Sequence, residues 1–333
     1  MKVIKGVVGL LCAVMFLNLA VAEIDTGLMQ SAFSALNYGV VFLAVTLSLA
    51  TYGLRAWRWR IILRPVKDVP LSTLFAATVI GFMANNILPL RIGEVGKALV
   101  LSTKEQIQVS AILATIVVER AFDGGTIAVL GLTLFFFPHL PPWMQSATLG
   151  LFALCLLALL GLTVLVLYRN QVAIQVRHSR WATHPLGRKI SELVENFAAG
   201  AEALRDVRAV LMIIALSFML WAAHTAIFYL ALLALGLELP AYTSVVVLVC
   251  TSIGVLLPSG PGYIGTFQYF AIVALTLFSV PKEQALSYAV VAHASQWAPV
   301  TLLGLVYIWG MGLKFSDLFG RESKRKQHVP LQA

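Results

Sequence analysis

Two apolar stretches in opposite halves of the chain are broken in the same way. Residues 85–97 read NNILPLRIGEVGK and residues 256–268 read LLPSGPGYIGTFQ. Each has Leu-Pro, a turn, Ile-Gly and then a polar side chain, Glu94 in the first and Gln268 in the second. Both are flanked by runs apolar enough to sit in lipid. Irregular backbone survives inside a bilayer only where protein or a polar cavity satisfies its N–H and C=O groups. Two corresponding Pro/Gly interruptions are also the sequence sign of a midplane transport site between inverted repeats.

The rest of the chain supports a membrane setting. With 59% hydrophobic and 12% charged residues, it falls far from soluble domains, which carry about a quarter charged residues. Apolar runs at 6–22, 36–54, 108–137, 146–168, 209–235 and 285–312 are each long enough, or nearly so, for a span of about 20 residues. Shorter runs pair around the breaks, 71–88 with 92–103 and 243–257 with 264–280. A limb of about 12 residues reaches roughly 18 Å, short of the ~30 Å hydrocarbon core. That favours a re-entrant hairpin over two full spans. The expectation is an all-α polytopic membrane protein of about six spanning helices plus two re-entrant hairpins, 71–103 and 243–280. The longest polar interval, 169–208, is too short for a catalytic domain with its own core. One membrane domain over residues 1–313 is therefore expected, with halves of about 1–140 and 146–313 and a basic tail at 314–333.

A net charge of +9 raises nucleic acid as a partner, and the distribution of charge argues against it. Arg55, Arg58, Arg60, Arg64 and Lys67 fall in one connection, and Arg169, Arg177, Arg180, Arg188, Lys189, Arg205 and Arg208 in another. Lys314, Arg321, Lys324, Arg325 and Lys326 lie in the tail, while the alternate connections hold few positives. This is the positive-inside asymmetry. It places both termini in the cytoplasm and makes the first hairpin enter from that face and the second from the other. Trp57 and Trp59, among arginines, read as an interfacial anchor. Anionic lipid head groups suit the basic loops, at roughly 1 kcal/mol per residue. Residues 1–22 can be a first span or a cleaved signal ending at Ala20-Val21-Ala22. A helical stripe over 186–207 (Ile190, Leu193, Val194, Phe197, Ala201, Leu204) reads as an interfacial helix or as a surface helix packed on the protein. Cys12, Cys155 and Cys250 lie in apolar runs and read as packing residues.

Six ionisable residues sit in or beside the membrane portion of the first half: Arg91, Glu94, Lys97, Glu119, Arg120 and Asp123. Isolated charges at the bilayer centre cost at least roughly 2.5–3.5 kcal/mol each, so they are expected to pair and face the interior. In the functional reading, Arg91 and Arg120 grip a phosphate through their planar forks, beside Asn85 and Asn86. The alternative is a buried ion-pair network locking helix 108–137 to the hairpin. Glu119 and Asp123, four apart on one helix face, suit both. The second break, Pro258, Ser259, Gly260, Pro261, Gly262, Gly265 and Gln268, is uncharged. A helix starting near Ile264 would aim free N–H groups inward, and a tight packing corner is the alternative. His224 and His293 read as hydrogen-bonded interior residues, and Trp221 and Trp297 as packing. No metal spacing, P-loop or nucleophile elbow is present, and no cofactor is implied.

RAWRW, NNILPLRIGEVGK, VVERAFDGG and LLPSGPGYIGTFQ, in this order, resemble the transmembrane region of lysylphosphatidylglycerol synthases. Stand-alone relatives of that region form a flippase-like family. The resemblance covers about residues 5–312. It implies an inner-membrane protein that moves a lipid between leaflets, with Arg91, Glu94, Glu119, Arg120 and Asp123 lining the head-group path. The resemblance does not extend to the soluble domain that makes the aminoacyl lipid, so aminoacyl transfer is not implied. Relatives commonly carry Glu where this chain has Gln268. The expected function is a flippase or scramblase-like transporter of a phosphate-bearing lipid or glycolipid. The alternatives are a membrane subunit presenting lipid to a separate synthesising enzyme, or an intramembrane transferase using Glu94 or Glu119 as base.

Overall fold

The structure is a computed structural model that describes residues 2–22, 24, 26–88, 92–136, 141–178, 195–257 and 259–312. These are helical, with no strand among the described residues. The helices are α1 (Lys2–Val21), α2 (Thr26–Ser34), α3 (Tyr38–Leu63), α4 (Leu71–Ile87), α5 (Gly93–Glu105), α6 (Val109–Thr133), α7 (Pro142–His178), α8 (Val207–Ala234), α9 (Tyr242–Gly254), α10 (Thr266–Thr276) and α11 (Lys282–Gly310). A short helical segment, 195–200, and a 3₁₀ turn, Glu202–Arg205, lead into α8.

Local chemistry sets these ends. Asn37 caps α3, its side-chain oxygen accepting the N–H groups of Gly39 and Val40; Asp206 does the same for α8 through Arg208. Both satisfy otherwise orphaned first-turn donors. α4 stops where Leu88 turns extended (φ −95°, ψ 144°), the backbone that a following proline imposes. At the far end of α3, Arg60 grips Asp68 through two hydrogen bonds of 3.0 and 3.3 Å. Those bonds hold the exposed Asp68 carboxyl below its ordinary range.

Four helices are long and apolar enough to cross a membrane: α3, α7 over Pro142–Tyr168, α8 and α11. α6 has the length, at 25 residues, but carries Glu119, Arg120 and Asp123 in its middle. α1 contributes a shorter apolar stretch, Leu10–Val21. Between α1 and α3, the nine-residue α2 falls outside the apolar runs read from the sequence.

Each broken segment folds as a helical hairpin, α4 on α5 and α9 on α10. In the first, a Cβ on Gly93 would run into the Gly81 carbonyl and the Asn85 side chain, so only glycine lets the limbs approach this closely. Both hairpins pack on α11, and α3 packs along α8. The start of α6 meets the 195–200 segment, where Gly200 lies against Ala111 and Ala114. Ala201 and Ala203 are buried there with Ile62, Val118 and Phe122. The described end of the expected interfacial helix therefore packs into the protein; residues 186–194 lie outside the described residues, as do 314–333.

Candidate functional site

The ionisable side chains of α3, α5 and α6 converge on one buried network. Asp123 is its hub. Its carboxylate accepts from Arg58 at 2.7 Å and from the Trp221 indole N–H at 3.2 Å, and pairs with Arg55 at 3.4 Å and Arg120 at 3.3 Å. Glu119, one turn earlier on the same face, holds Lys97 at 2.6 Å and lies 3.9 Å from Arg58. Arg58 also donates to Ser217 at 2.8 Å, tying α3 to α8. Lys97 sits 3.7 Å above the Trp59 ring, and Trp59 donates to Thr115 at 2.9 Å. Arg55 lies 4.9 Å over the Phe82 ring, with Arg120 at 5.9 Å from the same ring. Aromatic faces of this kind stabilise a desolvated cation by up to about 2 kcal/mol.

The pairing follows from physics, because a charge removed from water must find a partner or cost several kcal/mol. The network is nearly closed but not balanced. Arg55, Arg58, Lys97 and Arg120 face Glu94, Glu119 and Asp123, which leaves one positive charge in excess among the described residues. Among the described residues, the Nε of Arg55 and two nitrogens of Arg58 have no hydrogen-bond partner. Its accessible end is the Arg120–Glu94 pair, 3.4 Å apart, with side chains 41% and 28% exposed.

Glu94, Lys97, Glu119, Arg120 and Asp123 are thus brought together. Arg91 and Pro258 lie outside the described residues. Asn85 and Asn86 bond to the hairpin backbone and to α11 rather than to a charged side chain among the described residues. Asn85 accepts the Gly93 N–H at 2.8 Å, and Asn86 donates to Thr301 at 2.8 Å and to the Trp297 carbonyl at 3.2 Å. The turn at Pro261–Tyr263 meets the same place: a Cβ on Gly262, whose φ is +64°, would press on the Trp297 indole nitrogen and the Asn86 carbonyl. The tips of the two hairpins therefore touch beside α11. Gly260 and Gly265 face Ala13 of α1 instead, and Ser259 lies in the turn between them and α9. Gln268 faces neither the charges nor open space. Its carbonyl accepts the Gly265 N–H at 2.8 Å, and its amide nitrogen lies 3.0 Å from His293 Nδ1. One of the N–H groups expected to await a ligand at the start of α10 is therefore taken by the protein.

Several expectations change. Arg55 and Arg58 were assigned to a basic surface connection, yet α3 continues through them and they are 5% and 0% exposed. Trp59 is fully buried rather than interfacial, and Trp221 binds the hub carboxylate rather than only packing. The available signal was the three-residue spacing of Arg55 and Arg58, which puts both on one helix face. His224 is an interior residue, its Nδ1–H donating to the Leu220 carbonyl at 3.0 Å. The three cysteines are free. No group of His, Cys, Asp and Glu suited to a metal occurs among the described residues.

Long apolar helices enclosing a buried charge network define a multi-pass integral membrane protein. The chain belongs to the family described as Lysylphosphatidylglycerol synthase TM region, which residues 6–304 match. A UPF0104 membrane protein of Methanothermobacter thermautotrophicus is 21% identical, over 94% of this chain and 97% of its own length. A second UPF0104 membrane protein of that organism is 23% identical, over 81% of this chain and 83% of its own. Glycosyltransferase AglD of Haloferax volcanii is 26% identical over 90% of this chain, and the match spans 53% of that protein. No solved structure matches the chain.

Proposed function

We propose that this protein moves a phosphate-bearing lipid or glycolipid between membrane leaflets, as a flippase or scramblase-like transporter. The observation that carries the reading is the cation excess of the buried network together with its half-exposed end at Arg120. Its carboxylates are already engaged by cations, so the remaining capacity is for an anion. A guanidinium presents a fork that fits two phosphate oxygens. In this reading the head group docks at Arg120 and Glu94, and the buried arginines set the local field.

The hairpins are read as re-entrant, entering from opposite faces as an inverted repeat around this site. Their tips meeting at Asn86 and Gly262 supports that arrangement. The exposed charges at one end of the bundle, Arg60, Arg64, Lys67 and Lys104, support a cytoplasmic assignment for that end in a bacterial-type inner membrane.

Proteoliposomes carrying fluorescent phosphatidylglycerol test the proposal. Wild type exchanges the lipid between leaflets, while a folded Arg120→Ala variant falls by about 100-fold, the scale of about 2.7 kcal/mol lost from a charge-assisted contact. Exchange by Arg120→Ala at the wild-type rate removes the head-group assignment. A second reading, a membrane subunit presenting lipid to a separate enzyme, is motivated by the Haloferax glycosyltransferase, of which the match spans 53%. It gains the ground if purified protein binds phosphatidylglycerol, exchanges none and copurifies with an enzyme.

A further inference from the structure

Beside the charge network, α3 and α11 diverge enough to leave a furrow of about 640 Å³. Val41, Val45 and Leu49 line one wall at four-residue spacing, and Ala294, Ala298 and Leu302 line the other at the same spacing. The two alanines make the hollow, because they stand where larger side chains would meet α3. Among the described residues Ser295 brings the sole hydroxyl to the lining, and that hydroxyl already bonds the Ala292 carbonyl at 3.0 Å. The side chains of the walls thus offer an occupant shape and dispersion contacts, with no free polar group to satisfy.

The furrow leads toward the cations. One turn beyond Leu49, Tyr52 is buried against Val79, Val300 and the furrow-lining Leu303. Its ring lies 5.2 Å from that of Phe82, the ring over which Arg55 and Arg120 are placed. Two aromatic rings therefore separate the hydrocarbon-like furrow from the guanidinium groups. That is the order of parts in a lipid: a polar head, a short junction and an apolar tail.

From this adjacency we infer that the α3–α11 furrow holds a hydrocarbon tail of the lipid whose head group docks at Arg120, an inference resting on the function proposed above. The tail gains no hydrophobic free energy by leaving the bilayer, since lipid chains are as apolar as the wall. What the furrow supplies is register. It holds the tail alongside the protein while the head passes the charged site, which narrows the geometries the head must sample.

The test fills the furrow. Ala294→Phe/Ala298→Phe is prepared in proteoliposomes beside wild type and Arg120→Ala. Three probes are used: long-chain fluorescent phosphatidylglycerol for exchange, soluble dihexanoyl phosphatidylglycerol for head-group binding, and a phosphatidylglycerol with a photoreactive acyl chain for contact. The filled variant is expected to bind the short-chain lipid within about twofold of wild type and to exchange the long-chain lipid about tenfold more slowly. Arg120→Ala is expected to lose both. Crosslinks in wild type should concentrate at Val45 and Ala298 and disappear on filling.

Wild-type exchange by the filled variant overturns the inference. So does crosslinking spread evenly over other exposed faces such as Phe42 and Leu154, which marks ordinary boundary lipid, and so does conversion of a dimer to monomer on filling, which marks a contact between copies. If Arg120→Ala binds and exchanges normally while filling still blocks exchange, the head-group assignment fails and the furrow stands.

Discussion

The carboxamide oxygen of Asn85 accepts the backbone N–H of Gly93 at 2.8 Å, tying the two limbs of the first hairpin across its Leu-Pro break. The second hairpin uses a local bond instead: Gln268 accepts at 2.8 Å the N–H of Gly265, the residue that caps its own helix α10. In each hairpin an amide nitrogen also reaches the shared strut α11, Asn86 at Thr301 and Gln268 at His293. His293, Trp297 and Thr301 follow at four-residue spacing, so one face of α11 serves both tips. Asn85→Ala leaves the buried Gly93 N–H without its partner. The expected cost is about 1–3 kcal/mol, read as a lower unfolding temperature in detergent, with Asn86→Ala costing less because its partners on α11 retain other bonds.

Glycine substitutions separate helix propensity from packing. Gly53 lies inside α3 with nothing near its potential Cβ, whereas a Cβ on Gly93 meets the Gly81 carbonyl and Asn85. Replacing an interior helical glycine with alanine alone gains about 0.5–1 kcal/mol. Gly53→Ala should therefore raise Tm and Gly93→Ala should lower it. Equal shifts in the two variants would show that the α4–α5 contact is not close enough to matter.

The first hairpin and the carboxylates of α6 were legible because their signals are local. Pro89 ends α4 through its effect on Leu88, and the four-residue spacing of Glu119 and Asp123 fixes one face. Arg55 and Arg58 were not legible by counting charge, because Arg60, Arg64 and Lys67 follow directly and the cluster reads as one surface. Only the continuation of α3 to Leu63 turns the first two inward toward Asp123 while Arg60 reaches outward to Asp68. Charge counting orders residues along the chain but carries no depth. The meeting of the hairpin tips at Asn86 and Gly262 was equally hidden, since it depends on a turn with positive φ at both Gly262 and Tyr263. The pairing of Gln268 with His293 bridges separate helices, and no local spacing encodes it.

The hub and the rim of the charge network should respond differently to neutralisation. Asp123→Asn leaves Arg55, Arg58 and Arg120 facing one another with their common counter-charge gone, and removal of one partner from a buried pair costs about 3–5 kcal/mol. Glu94 is part-exposed, and exposed pairs contribute about 0–1 kcal/mol. Glu94→Gln should therefore leave Tm nearly unchanged, while Asp123→Asn lowers it strongly. The two shifts, measured by tryptophan fluorescence during heating, should differ by several degrees; similar small shifts would contradict the assignment of Asp123 as the hub.

Trp59 tests how the buried lysine is held. It gives Lys97 an aromatic face at 3.7 Å and donates its indole N–H to Thr115 at 2.9 Å. Trp59→Phe keeps a smaller aromatic face and loses the hydrogen bond, for an expected cost of about 1–2 kcal/mol. Trp59→Leu removes both and adds a mismatch in volume, so its cost should exceed that of phenylalanine. A leucine variant as stable as the phenylalanine one would show that the ring is only filling space.

Gln268 uses both ends of its carboxamide, and that chemistry makes the last prediction. The Gly265 N–H can only donate, so the carbonyl end faces it and the NH₂ end faces His293 Nδ1. A carboxylate at this position still accepts from Gly265 but offers no donor to the imidazole. His293 must then carry its proton on Nδ1, and it loses any donation from the other ring nitrogen to the Gly262 backbone, next to the point where the hairpin tips meet. Gln268→Glu should destabilise the protein by about 1–3 kcal/mol. Gln268→Glu/His293→Gln, which restores an amide donor opposite the carboxylate, should recover part of that loss. The recovery is read from unfolding temperatures of the two singles, the double and wild type; strict additivity of the two substitutions would show that the pair does not interact.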